Sequence, residues 1–160
     1  MAGSSIRITH GAHSDRTNVM KLPPDVECVE AASLFIWRPR GVLNEGLVNN
    51  IVVFVREQEE SFGRPFNRFT DLSALDGVHL NFDYVFRIAL YRRLSYAGDK
   101  VKSAFYVSSW SAEHYAKLHA LVTGRSQLQV SVFTDREAAA KWLGVPVGLL
   151  TPQDLAGAER

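Results

Sequence analysis

The chain has 160 residues, which is the size of a single globular domain. Hydrophobic residues make up 46% of it and charged residues 22%, and these values exclude the disordered and collagen-like classes. Eighteen Lys and Arg residues against seventeen Asp and Glu residues leave a net charge of +1. This charge gives no overall attraction for phosphate backbones or anionic membranes, so we predict no nucleic-acid partner.

Apolar runs in the sequence are short. The longest purely aliphatic or aromatic run is Ile51 to Val55, far below the roughly 20 residues that span a bilayer, and no apolar signal-peptide core follows Met1. We therefore expect no membrane span and a cytoplasmic location. Cys28 is the only cysteine, which excludes an internal disulfide and a cysteine-based zinc site.

The two ends of the chain differ in composition from its middle. Residues 1–25 contain Gly, Ser, Thr, Asn and the pair Pro23-Pro24 without apolar periodicity, so we predict a flexible N-terminal arm. We predict the folded domain over residues 26–150 and a C-terminal tail over residues 151–160.

The first predicted elements are a buried strand and a helix. The run from Ala31 to Trp37 is short and rich in bulky residues, which predicts a strand whose start reaches back as far as Val26. Asn44 suits a helix N-cap, and hydrophobic residues follow it at helical spacing. We predict that this helix ends at Gly63.

The next predicted strand runs from Phe66 to Leu72, and a loop through Gly77 follows it. Asn81 or Asp83 caps the second predicted helix, which ends at Gly98.

A nearly continuous apolar stretch from Val101 to Ser108 predicts a strand that is covered on both faces and lies inside the sheet. A helix is predicted from Ser111 to Gly124. The alternating residues from Leu128 to Val132 then predict a half-buried strand near an edge.

The segment Thr134-Asp135-Arg136-Glu137 fits the capping box, with Thr134 as the predicted N-cap. The helix that follows is predicted to end at Gly144, before Pro146. The alternation of strands and helices along the chain favours one α/β domain with a mostly parallel or mixed sheet of four to five strands.

Polar residues follow several of the predicted strands. Parallel sheets bind ligands beyond the carboxyl ends of their strands, and we call this edge the rim. Helix capping and tight turns account for serine, threonine and aspartate at such positions, but Arg38 and Arg40 predict a small positive patch suited to a carboxylate or phosphate. The predicted rim residues are Arg38, Arg40, Asp71, Ser73, Ser108, Ser109, Trp110, Thr134 and Asp135.

Signatures of enzymes and cofactors are missing from the sequence. It has no Gly-x-Ser-x-Gly elbow, no phosphate-binding loop and no Gly-x-Gly-x-x-Gly, so we predict no cofactor and assign no catalytic residue. His114 and His119 are five residues apart, about 140° around a helix, and we predict no metal site. A local basic cluster includes Arg92 and Arg93, which suit the negative end of the helix dipole.

Two segments of the chain support a family resemblance. Asp71-Leu72-Ser73 ends the second core strand, and Val132-Phe133-Thr134-Asp135 precedes a helix that finishes in Ala140-Lys141-Trp142-Leu143-Gly144. Over about residues 30–146 the chain resembles STAS-like proteins, and within them the SpoIIAA-like branch. The resemblance implies a small non-enzymatic α/β domain that binds proteins or ligands, in the manner of anti-sigma-factor antagonists.

The phosphorylation switch of those antagonists does not carry over to this sequence. In the SpoIIAA-like pattern an Asp-Ser pair at a helix start supplies the modified serine, whereas here Asp83 is followed by Tyr84. No serine or threonine occurs between Ser73 and Ser95.

Three functional interpretations follow from the sequence. The leading one is a non-catalytic regulatory module that binds a partner protein or a small anionic ligand at the rim. The alternative is a small lipid or metabolite carrier, or an enzyme, with an apolar cavity between sheet and helices and with Tyr84, Tyr91 or His119 inside it. A homodimer built on an edge strand or a helix face is the third.

Overall fold

The computed structural model describes Pro23, residues 25–95 and residues 99–153. Most of the predicted N-terminal arm, the predicted helix end at Gly98 and the tail from residue 154 onward lie outside this part. The strands within it are β1 (Val26–Val29), β2 (Leu34–Trp37), β3 (Gly41–Asn44), β4 (Asn67–Asp71), β5 (Leu75–His79), β6 (Val101–Tyr106) and β7 (Leu128–Phe133). The helices are α1 (Glu45–Phe62), α2 (Phe82–Ser95), α3 (Trp110–Val122), α4 (Arg136–Leu143) and α5 (Val147–Leu150).

The main sheet has five strands in the order β1-β2-β4-β6-β7. β1 runs antiparallel to β2, and the other neighbouring pairs are parallel. The predicted mixed α/β class is therefore confirmed, with β6 inside the sheet and β7 at its edge. The parallel order brings the carboxyl ends of β2, β4 and β6 to one edge.

The first predicted strand is two strands. A 3-10 turn at Glu30–Ala32 separates β1 from β2, and Ser33 adopts a left-handed backbone with φ of 47°. This reversal folds β1 back on β2, so that Val26 pairs with Trp37 and Val29 with Leu34. The apolar run alone could not place the turn, because nothing in it is a glycine or proline.

A second, small sheet corrects the prediction of a loop through Gly77. That segment is β5, which pairs in parallel with β3. Both strands are short, and Asp76, Gly77 and His79 have low strand propensity, so main-chain pairing between distant segments decides their conformation.

The helix starts follow the caps, with shifts from the prediction. Asn44 caps α1 by accepting from the Leu47 amide at 3.0 Å, as expected. Asn81 accepts from the Tyr84 amide at 2.7 Å and is therefore the cap of α2. Ser109 caps α3, so this helix begins one residue before the predicted Ser111.

The start of α4 differs from the predicted capping box. Asp135, not Thr134, is the N-cap, and its carboxylate accepts from the Glu137 amide at 3.0 Å. A carboxylate next to the positive end of the helix dipole is a stronger acceptor there than a hydroxyl. Gly144 ends the helix with φ of 75°, as predicted.

The two faces of the main sheet carry different helices. α4 and α5 pack on one face, whose buried core includes Ile36, Phe69 and Ala104. α1, α2 and α3 lie over the other face, opposite Trp37, Thr70 and Phe105. We call the first the closed face and the second the open face.

Candidate functional site

A cavity of about 700 Å³ lies between the open face of the sheet and helices α1, α2 and α3. Its volume falls within the roughly 300–1,000 Å³ of small-molecule sites. Trp37, Thr70 and Phe105 form part of its floor. The apolar residues that line its walls include Leu43, Val48, Ile51, Val52, Val55, Leu72, Val78, Leu80, Val85, Ile88, Ala112 and Ala116.

Side-chain size on α3 helps to explain this space. Ala112 and Ala116, four residues apart, are buried residues of α3, as is His119, and all three line the cavity. The two alanines contribute only methyl groups to the space between α3 and the sheet. The residues of α2 that line the cavity include Tyr84, Ile88 and Arg92, spaced by four along the helix.

One end of the cavity is charged and deeply placed. Arg68 in β4 donates to Glu59 in α1, and their side chains are only 8% and 11% exposed. Glu59 continues the buried face of α1, since it follows Ile51 and Val55 at intervals of four. The sequence analysis did not single out Glu59, although this spacing was a readable signal.

Arg92 and His119 complete that end of the cavity. The Arg92 Nη1 atom lies 2.9 Å from His119 Nε2, and its Nη2 atom lies 3.4 Å from the Ser103 hydroxyl. Because a guanidinium only donates, Nε2 accepts and the ring proton belongs on Nδ1. We call Glu59, Arg68, Arg92 and His119 the basic end.

His119 is buried and neutral. Burial lowers the pKa of its imidazole well below the usual value of 6.5, and the Arg92 guanidinium lowers it further. The Nδ1 atom is buried and has no hydrogen-bond partner of acceptable geometry among the described residues.

The two tyrosines of the alternative interpretation also line the cavity. The Tyr84 hydroxyl donates to the Glu45 carbonyl at 3.1 Å or to Asn49 Oδ1 at 2.8 Å, and burial raises its pKa to about 12. Tyr91 is 44% exposed and accepts from Arg56 at 3.4 Å. Together with His119, all three named polar groups therefore lie on the cavity.

At the rim, Asp71 and Ser73 come together as predicted, with an arginine that was not predicted. The buried Asp71 carboxylate accepts from the Ser73 amide at 3.0 Å and from its hydroxyl at 2.5 Å. Arg136 donates to Asp71 at 2.9 Å, and its guanidinium lies 4.1 Å from the centre of the Tyr106 ring. Arg136 is the first residue of α4, which follows the edge strand β7. Nothing in the sequence at that position indicated its contact with Asp71.

Arg38 and Arg40 each lie near a carboxylate. Arg38 donates to Glu27 at 3.1 Å and to the Leu149 carbonyl at 3.2 Å, and its side chain is 15% exposed. Arg40 is 65% exposed and lies 4.0 Å from Asp25. Both arginines thus have acidic neighbours in the protein itself.

The remaining rim residues serve helix starts or point into solvent. Ser109 and Asp135 are the N-caps of α3 and α4, and Ser108 is exposed. Trp110 is 78% exposed and stacks on His114 at a centroid distance of 5.4 Å. Asp71 and Arg136 interact on the closed face, whereas Trp110 belongs to a helix of the open face.

Two kinds of feature are absent from the described residues. No group of three or more His, Cys, Asp or Glu side chains has an arrangement suited to a metal ion. Within the same residues, no helix has the length and apolar character needed to cross a membrane.

Comparisons with known proteins give one structural neighbour to report. No family model matches the chain, and no curated protein matches it. A solved structure of an uncharacterized protein from the DUF3478 family of Shewanella loihica PV-4, described as having a SpoIIAA-like fold, is 14% identical. The match covers 69% of this chain and 83% of that chain, with a TM-score of 0.44. The α/β architecture described above therefore rests on the strand order and registers of the chain itself.

Proposed function

We propose that this protein binds a small, largely apolar molecule in the cavity beneath α1, α2 and α3. The observation that carries the proposal is the cavity of about 700 Å³ with predominantly aliphatic and aromatic walls. Protein interiors are normally packed as densely as organic crystals, so the walls of an apolar cavity of this size make fewer contacts with protein atoms than a packed core does. A bound molecule restores the missing contacts and stabilises the fold.

The distribution of polar groups supports a binding role. Tyr84 and the basic end supply a few placed polar atoms among apolar walls, which is the composition of small-molecule sites. Apolar walls supply affinity, and a few fixed polar groups orient the ligand. At the rim, by contrast, Asp71 and Arg38 each form an ion pair within the protein.

Binding of a fluorescent apolar probe tests this function. Wild-type protein is titrated into Nile red, and native mass spectrometry of freshly purified protein looks for a co-purified small molecule. Ala116→Leu, which places a larger side chain in the cavity, is expected to weaken Nile red binding at least about tenfold, since it displaces ligand volume. Ala138→Leu on the exposed side of α4 is the matched control and should bind as wild type.

Two results of these measurements would contradict the proposed ligand binding. Wild-type protein that neither binds Nile red nor carries a small molecule has no ligand cavity in solution. Equal binding by wild type and Ala116→Leu would place the probe elsewhere on the surface.

A second candidate function is docking of a partner protein on the outer side of α2 and α3. Trp110 and Leu121 on α3 are 78% and 79% exposed, and Leu94 on α2 is 72% exposed. Large apolar side chains that are exposed on two adjacent helices make this side of the domain a candidate interaction surface. Affinity capture from the native cell with wild-type bait is expected to recover a partner that Trp110→Ser bait loses, and recovery by both baits would rule out this surface.

A further inference from the structure

The polar residues of the cavity are not evenly distributed. The basic end lies near the amino ends of the strands, because Arg68 is the second residue of β4 and Glu59 lies in the last turn of α1. The other end is lined by Leu43 and Val78 of the small sheet and by Leu80. A molecule that fills this space thus meets apolar walls along most of its length and buried charged groups at one end only.

The charges on the cavity wall leave a positive excess. Four arginines line the cavity against three carboxylates, and His119 is neutral. The arginines are Arg56, Arg64, Arg68 and Arg92, and the carboxylates are Glu59, Glu60 and Asp99. One added negative charge would balance this lining, and a second would reverse its sign.

The buried histidine supplies an independent observation. The Arg92 contact fixes the proton of His119 on Nδ1, and this buried donor has no partner of acceptable geometry among the described residues. Buried donors are normally paired with protein or water acceptors. The Nδ1 atom has almost no accessible surface, so the ring acts at this end of the cavity only through Nε2, whose lone pair faces Arg92.

We propose that the ligand is a monoanionic amphiphile, with an apolar chain along the sheet and a carboxylate-type head group held by Arg92 at the basic end. This inference rests on the proposed function, because it names the chemical class of the molecule in the same cavity. Charge-assisted hydrogen bonds from a guanidinium orient a carboxylate. The apolar chain of the ligand packs against the aliphatic walls of the cavity.

A pair of ligands that differ only in head group tests the inference. Dodecanoate and 1-dodecanol compete with Nile red for wild-type protein at pH 8, where the acid is ionised. We expect dodecanoate to displace the probe with an affinity at least about tenfold higher than that of dodecanol, because the carboxylate makes one more charge-assisted hydrogen bond than the alcohol does. Equal affinity, or a preference for the alcohol, would overturn the head-group proposal.

A variant pair locates the head group. Arg92→Gln is expected to reduce the acid-to-alcohol preference to about twofold or less and to leave dodecanol affinity unchanged. Arg93→Gln makes the same chemical change at the next residue, which contacts the Val122 carbonyl outside the cavity, and should keep the full preference. A preference that survives in Arg92→Gln, or an equal loss for both ligands, would remove Arg92 from the site.

The outcomes separate the two proposals. Wild-type protein that does not bind Nile red overturns the proposed function and the inference together. Binding of Nile red without displacement by dodecanoate overturns the inference alone. The comparison of acid with alcohol on the unmodified chain decides the charge of the head group even where Arg92→Gln fails to fold.

Discussion

The two faces of the main sheet use small helix residues to opposite effect. On the closed face Ala139 and Ala140 let α4 approach the strands, and the ring of Phe69 is fully buried beneath it. On the open face Ala112 and Ala116 of α3 border a cavity of about 700 Å³. Alanine therefore gives close packing where one helix can settle onto the sheet, and open space where three helices share the cover.

The largest expected difference between the faces concerns aromatic truncation. Phe69→Ala on the closed face should lower the free energy of unfolding by about 3–5 kcal/mol, because it opens a void in a filled core. Phe105 lies on the neighbouring strand and faces the cavity, so its half-buried ring makes fewer packing contacts. Phe105→Ala should therefore lower the free energy of unfolding by only about 2 kcal/mol. Urea unfolding followed by circular dichroism measures both.

Equal losses for the two phenylalanines would contradict the comparison. They would mean that the open face is as well packed as the closed face, and that helices α1, α2 and α3 collapse onto the sheet in solution.

The opposite change, enlargement of an alanine, is expected to have a smaller effect. Ala139→Leu should destabilise the protein by about 1–3 kcal/mol, because the closed face has no room for three more carbon atoms. Ala116→Leu should change stability by less than about 1 kcal/mol or raise it, since the added atoms enter the cavity. Thermal or urea unfolding of both variants decides this.

A comparable loss in Ala116→Leu would show that the space beside α3 is not available to a side chain. The two variants can be compared directly, because Ala116 and Ala139 are both buried residues within helices.

Sequence patterns predicted the elements that depend on local signals. Asn44 and Gly63 bounded α1 correctly, and Gly144 ended α4, because caps act through hydrogen bonds to the nearest turn. The small sheet was missed since Gly77 and its neighbours become a strand only by pairing with β3 across the chain. Local chemistry predicts helix ends well and predicts non-local pairing poorly.

The same difference between local and tertiary signals applies to the residues of the candidate site. The alternative interpretation placed Tyr84, Tyr91 and His119 in a cavity under the helices, and all three line it. Arg92 was assigned to the helix dipole and Arg68 was not singled out, because the contacts between α1, α2, α3 and β4 that define the basic end are tertiary. The contact between Arg136 and Asp71 was missed for the same reason.

The last expected effect is a pH dependence from the buried histidine of the open face, and it vanishes near neutral pH. The folded protein holds His119 neutral, with its pKa well below the 6.5 of an exposed histidine, whereas the unfolded chain takes up a proton below about pH 6.5. The unfolded state then binds more protons, so the free energy of unfolding falls as the pH decreases. The loss approaches about 1.4 kcal/mol per pH unit below pH 6.5, and above that value His119 adds no pH dependence.

Replacement of the ring isolates this contribution from that of the carboxylates. The difference in unfolding free energy between wild type and His119→Gln, measured by urea titration from pH 8 to pH 5, should be constant above about pH 6.5 and should shift in favour of the variant below it. His79→Gln, at an exposed position of β5, is the control and should track wild type at every pH. A constant difference for His119→Gln across the whole range would mean that the basic end admits water and accepts the charged imidazole, and the cavity would then offer its ligand a hydrated head-group site in place of a dry one.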